Sequence, residues 1–150
     1  MRIAVLSESD KVETRVAATP ETVKKYKALG ADVTVQAGAG ATAGIPDADF
    51  EAAGATVAKD AAEAVRDADI VLGVRRPDAA SLKGVKDGAV VVAIMDPYGQ
   101  DEALKGLAGA GVSAFSMELM PRITRAQVMD VLSSQANLGG YRAVIDAAAE

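Results

Sequence analysis

The chain contains no cysteine and no histidine. Without cysteine there is neither a disulfide frame nor a thiolate metal site. Without histidine there is no His-dependent triad, no His-ligated metal and no imidazole general acid. Tryptophan is also missing, and only 3% of the residues are aromatic. A core must therefore be built from Ala, Val, Leu, Ile and Met. No apolar run approaches the ~20 residues needed to span a bilayer. The amino-terminal Met1-Arg2-Ile3-Ala4-Val5-Leu6 turns polar at Ser7 and does not read as a signal peptide. The chain is thus expected to be soluble, with any link to a membrane made through a partner. There is no block of Lys and Arg, and the net charge is −5, which argues against a nucleic-acid partner.

What is present fits one ordinary domain: 150 residues, half of them hydrophobic, with 14 glycines. Short β-rich runs alternate with helix-like segments. Candidate strands are 2–6, 32–36, 69–74, 89–94 and 112–117, with a further short one at 55–57. Most are apolar on successive residues, as in Ala89-Val90-Val91-Val92-Ala93-Ile94. Such strands are buried on both faces, which implies a mostly parallel sheet covered by helices. Thr19-Pro20 opens a helix as N-cap and first position, and Gly30 closes it. Residues 60–66 and 100–108 read as further helices. The alternation predicts a doubly wound, Rossmann-like α/β fold in a single domain spanning 1–150. A last helix is expected from Thr124 onward, with Gly139-Gly140 able to bend it. It carries no stop signal before Glu150, which favours a piece of something longer over a simple frayed terminal helix.

Four motifs invite a functional reading. Gly38-Ala39-Gly40-Ala41-Thr42-Ala43-Gly44 has the composition of a dinucleotide fingerprint but the spacing GxGxxxG. Pro46 then interrupts the helix that should receive a pyrophosphate, so a turn is the better reading. Arg15, in Glu13-Thr14-Arg15-Val16-Ala17-Ala18-Thr19-Pro20, follows the first strand, where α/β proteins place ligands. It suits clamping a carboxylate or phosphate, and equally pairing with Glu13 or Glu21. Arg75-Arg76-Pro77 and Asp96-Pro97-Tyr98-Gly99 follow later strands; both suit a cleft lining, and both are ordinary turns. The fourth stretch, Met117 to Tyr141, is expected to carry most of the function. A loop presents Arg122, and Thr124 and Gln127 form a capping-box pair. Gln127, Asp130, Ser134, Asn137 and Tyr141 then share one helical stripe, bordered by Ser133, with Val128, Val131, Leu132 and Leu138 facing the core. A solvent-facing stripe would be richer in Lys and Glu. Amide, hydroxyl and carboxylate groups instead suit orienting an uncharged amide: the carboxylate accepts from its N–H, and Ser or Gln meets its oxygen. Nothing here is an evident nucleophile or general base, and no metal site is expected.

At these residues the chain resembles the alpha subunit of proton-translocating NAD(P) transhydrogenase. The resemblance rests on Pro121-Arg122-Ile123-Thr124-Arg125-Ala126-Gln127 with Asp130-Val131-Leu132-Ser133-Ser134. Thr14–Pro20, Gly38–Gly40 and Arg76-Pro77 support it, and it extends over essentially the whole chain. It implies that 1–150 is the first half of an NAD(H)-binding domain I, whose glycine-rich dinucleotide-binding half is absent. It implies that Arg122, Gln127 and Asp130 hold the dihydronicotinamide, with Ser133 on the carboxamide and Ile123, Thr124 and Leu132 completing the contact. Hydride then passes directly to NADP(H) on a partner domain, coupled to proton translocation by membrane-embedded partners. The implied setting is a homodimer, peripheral to the inner membrane on its cytoplasmic side. Without the other half, NAD(H) binding should be weak and the isolated chain inactive. Alanine dehydrogenases are similar at Arg15, but their substrate lysine falls where Arg75 stands, and their catalytic histidine has no counterpart in a His-free chain. A non-catalytic dimerisation or docking module is the remaining alternative.

Overall fold

The computed structural model describes residues 1–149. Its centre is a six-stranded sheet, all parallel, in the order β3-β2-β1-β4-β5-β6. The strands are β1 (Arg2–Val5), β2 (Asp32–Gln36), β3 (Thr56–Ala58), β4 (Ile70–Arg75), β5 (Val90–Ile94) and β6 (Ser113–Ser116). The chain winds outward from β1 to β3, crosses back, and winds the other way from β4 to β6. The doubly wound, Rossmann-like expectation holds.

Alternation explains why the strands read as continuous apolar runs. Ala4 and Leu6 enter one buried cluster with Val71, Val91, Ala93 and Met95, covered by α3 (Ala61–Val65) and α4 (Asp101–Gly109). Ile3 and Val5 enter a second cluster with Val33 and Val35, covered by α1 (Pro20–Ala28) and α2 (Asp47–Ala52). Each fully buried Val or Phe supplies roughly 1.5–3 kcal/mol. The second face is closed over β1 to β3 but only half-covered over β5, where Val90, Val92 and Ile94 are partly exposed.

Local signals place most helix ends. The Thr19 hydroxyl accepts from Thr22 N–H at 3.3 Å, and Gly30 at φ 81° lets the chain leave α1. Asp60 accepts from Glu63 N–H at 2.9 Å to start α3. Two expectations need correction. Pro46 does not interrupt a helix; its extended backbone sits at the N-cap position and starts α2. The final helix does not begin at Thr124. Residues Thr124–Met129 form a 3₁₀ segment with no side-chain cap, and α5 runs over Val131–Ala149, unbroken at Gly139-Gly140. Asp130 is the reason. Its carboxylate accepts from Leu132 N–H at 3.0 Å and Ser133 N–H at 3.2 Å, so the regular helix starts there.

Candidate functional site

The sheet parts at its switch point, between β1 and β4. Leu6 N–H still reaches the Leu72 carbonyl at 3.4 Å. Beyond it, the Glu8 carboxylate accepts from Val74 N–H at 2.7 Å and Arg75 N–H at 3.0 Å. The β4–β5 register shifts between Leu72 and Arg75. This is the position where open α/β sheets leave a crevice.

On the half-covered face, a cleft of about 420 Å³ lies between α1 and the start of α5. Leu72, Val74, Val92 and Ile94 form its floor, and Arg15, Tyr26, Asp130, Ser134 and Gln135 are on its rim. The fold thus brings the second and fourth motifs to one place, although more than a hundred positions separate them. Arg15 is not free in it. Its guanidinium makes a two-pronged pair with Glu13, both distances 2.7 Å, and Arg75 Nε stands 3.7 Å from the same carboxylate. The Arg15 hydrogen bonds hold the Glu13 carboxyl down to about 2 against the opposing effect of burial. The pairing reading of Arg15 is the one realised.

Two other motifs are structural. Gly38 N–H donates to the Asp47 carboxylate at 2.9 and 3.1 Å. A Cβ on Gly40 would lie 2.5 Å from the Ile45 carbonyl oxygen and 2.8 Å from the Phe50 ring. The glycine run is a packed turn facing an acidic helix start, which disfavours phosphate. Arg76 grips the Met95 carbonyl, the Asp96 carbonyl at 3.1 Å and Gln100 at 3.4 Å. Arg76-Pro77 and Asp96–Gly99 are therefore two sides of one junction.

In the fourth motif the structure gathers Arg122, Asp130, Leu132 and Ser133. Asp130 Oδ1 caps α5, while Oδ2 accepts from the Ser133 hydroxyl at 2.6 Å and lies 3.8 Å from Arg122 Nε. The Ser133 hydroxyl, then its amide, the Leu132 amide and the Arg122 charge together hold the Asp130 carboxyl below its ordinary value, despite some desolvation. Asp130 is an anion at neutral pH. Arg122, by contrast, keeps 72% of its side chain exposed, so its N–H groups remain available. Ile123, Thr124 and Gln127 are exposed nearby.

The predicted capping box is not made: Ile123, not Thr124, precedes the 3₁₀ turn, and no side chain caps it. Nor does one stripe run from Gln127 to Tyr141, because the backbone changes from 3₁₀ to α at Asp130 and resets the phase. The expected core face is not formed either, because α5 lies beside the sheet only at its start and residues 132–149 are exposed on every side. Val128, Leu132 and Leu138 are 91%, 49% and 59% exposed, and only Val131 turns partly inward. Two carboxylates that the motifs do not single out, Glu8 and Glu118, also shape the site. Each sits just past a strand and accepts backbone N–H groups of a neighbouring strand end. An acid directly after a strand was the available signal.

This set of groups suits a neutral amide better than a phosphate. Asp130, Ser134 and Gln135 put a carboxylate, a hydroxyl and an amide on the cleft rim, with the exposed Arg122 guanidinium beside Asp130, whereas the glycine turn is folded onto Asp47. Among the described residues, no group of His, Cys, Asp and Glu is arranged to hold a metal, and no helix is long and apolar enough to cross a membrane.

Residues 4–139 match the family model described as alanine dehydrogenase/PNT, N-terminal domain. The chain is 46% identical over its full length to the first part of the NAD(P) transhydrogenase alpha subunit of Rhodospirillum rubrum, covering 40% of that protein. It is 37% identical to alanine dehydrogenase of Halomonas elongata, over 79% of this chain and 32% of that protein. Among solved structures, a transhydrogenase from Sinorhizobium meliloti superposes with a TM-score of 0.92 at 59% identity, over all of this chain and 45% of that one. The chain thus spans less than half the length of these relatives.

Proposed function

This chain belongs to the family of alanine dehydrogenase/PNT N-terminal domains, and from that premise we propose that it orients the nicotinamide of NAD(H) in an NAD(P) transhydrogenase. The observation that carries the reading is the Arg122–Asp130–Ser133 group at the mouth of the cleft, in a chain that transhydrogenase alpha subunits match over its full length. NAD(H), when bound, supplies the hydride. Asp130 stays ionised and accepts from the carboxamide N–H. Arg122 and Gln127 present donors to the ring's polar edge, Ser133 meets the carboxamide, and Ile123, Thr124 and Leu132 border it. No proton transfer by this chain is required, consistent with the lack of His and Cys.

In this reading 1–150 is the amino-terminal part of a longer NAD(H)-binding domain. NADP(H) lies on a partner domain, and membrane-embedded partners couple hydride transfer to proton translocation. The assembly is a homodimer at the cytoplasmic side of the inner membrane. The isolated chain binds NADH weakly, since the pyrophosphate contacts lie elsewhere.

In the complete transhydrogenase carrying this chain, Arg122→Ala and Asp130→Asn should each lower NADH-dependent reduction of an NADP⁺ analogue by about tenfold or more, the worth of one charge-assisted bond. Asn caps helices as well as Asp does, so circular dichroism of Asp130→Asn should be unchanged and its melting at most slightly lowered by the loss of the charge. Normal rates in both variants would remove the assignment. Alanine-dependent NADH formation would instead favour the dehydrogenase branch of the family, in which Arg15 would have to leave Glu13.

A further inference from the structure

Glu118 faces no ligand position, yet its carboxylate is fully engaged. It lies in the 3₁₀ turn Met117–Leu119 directly after β6, just before Pro121-Arg122. Oε2 accepts from Met95 N–H at 3.0 Å and from the Ser116 hydroxyl at 2.6 Å; Oε1 accepts from Asp96 N–H. One side chain thereby fills the open donors at the end of β5 and ties them to the root of the Arg122 loop. The same turn is held from its other side, where Arg76 grips the Met95 and Asp96 carbonyls. Asp96 has φ 45°, a left-handed conformation that a non-glycine residue keeps only where its surroundings enforce it.

Ala126 is packed inside, and few other hydrogen bonds hold the loop. The backbone bonds of Met120, Ile123 and Ala126 run to Met117, Pro121 and Ile123, all within the segment. Among the described residues, the hydrogen bonds from 118–130 to the sheet and its turns are those of the Glu118 carboxylate. Burial pushes this carboxyl up, but the Ser116 hydroxyl and the amides of Glu118, Met95 and Asp96 outweigh it and hold it below its ordinary value. The grip is anionic at neutral pH. Charge-assisted bonds of this kind are roughly twice as strong as neutral ones.

We propose that Glu118 is a positioning residue: it pins the root of the Arg122 loop to the Met95–Asp96 turn and so sets where the Arg122–Asp130 pair meets the nicotinamide. This rests on the orienting role proposed above. Glu118→Gln keeps the size but offers an amide N–H to one of the two backbone N–H groups, so one anchor is lost. The loop then shifts without losing any group that touches the nucleotide.

The test is a double-mutant cycle in the complete transhydrogenase, read as single-turnover hydride transfer. Glu118→Gln should slow transfer about tenfold, the scale of a sub-ångström misplacement. In an Arg122→Ala background it should cost clearly less, because part of its effect acts through Arg122. Equal fold losses in both backgrounds, as general destabilisation gives, would overturn the positioning role, as would an unchanged rate in Glu118→Gln. Ser116→Ala removes only one bond to the carboxylate. It should give a smaller loss with the same dependence on Arg122, and serves if Glu118→Gln does not fold. Normal rates in both Arg122→Ala and Asp130→Asn sink the orienting role itself, and a normal rate in Arg122→Ala alone sinks the positioning role. A slow Arg122→Ala uncoupled from Glu118 sinks only the positioning role.

Discussion

From Ile3 to Leu107 the large aliphatic side chains collect in two buried clusters, one on each face of the sheet. From Phe115 to Ile145 the pattern reverses. Phe115, Leu119, Ile123, Val128, Leu138, Tyr141 and Val144 are each more than half exposed, and Ala126 is the buried residue of that stretch. The two regions have similar apolar content, so hydrophobicity does not separate them. Strand alternation in the first region gives most strand side chains a facing helix, with Val90, Val92 and Ile94 only half-covered. The second is one helix and its entry loop, lying beside a sheet face that it covers only at its start. This uncovered apolar surface adjoins the proposed nicotinamide contacts.

The contrast can be broken by mutation. Phe50 is fully buried under the glycine turn, and Phe50→Ala should cost about 3–5 kcal/mol, read by chemical denaturation. A loss under about 1 kcal/mol would mean that the first region is loosely packed. Next comes the ion pair at the cleft. Glu13 has an ordinary value of 4.5 and a folded value of about 2. Its depressed value means that it stabilises the fold above pH 4.5 and that this contribution fades as pH falls toward 2. Because Arg15 is 42% exposed, screening limits the effect to about 1 kcal/mol. Glu13→Gln should flatten the acid limb of the stability profile by that amount and leave neutral-pH melting little changed beyond it; an identical acid limb would show the pair to be inert. The smallest effect belongs to the second region. Leu138→Ala in the chain alone should move stability by no more than about 0.5 kcal/mol. A loss above about 2 kcal/mol would show α5 packed after all.

Much of the site was legible because its signals are local. A turn rather than a phosphate cradle at Gly38–Gly44 follows from neighbours a few positions apart. Arg15, by contrast, read equally as a ligand clamp or a partner of Glu13 or Glu21, and the structure pairs it with Glu13. The failures share a cause. Thr124 and Gln127 have the right spacing for a capping box, but Asp130 captures the backbone N–H groups of Leu132 and Ser133, and the helix starts from it. Gln127 was thereby taken off the stripe that Ser134, Asn137 and Tyr141 share, and no face of α5 beyond its start meets the sheet. Pro46 misled for a similar reason: proline bars a helix interior but suits a helix beginning, and only the observed turn shows which end it occupies.

The sequence by itself determined the parallel doubly wound sheet, the class of residues in its core, and the absence of imidazole or thiol chemistry. Composition and the runs of apolar residues in the strands decide these, and both survive wherever the chain is placed. Only the tertiary structure decided that Arg15 and Asp130 share a cleft, that Glu118 fastens the Arg122 loop to the end of β5, and that α5 leaves its apolar side chains uncovered. Those depend on strand order and on the parting of β1 from β4, which bring together residues whose separation in the chain carries no record of their contact.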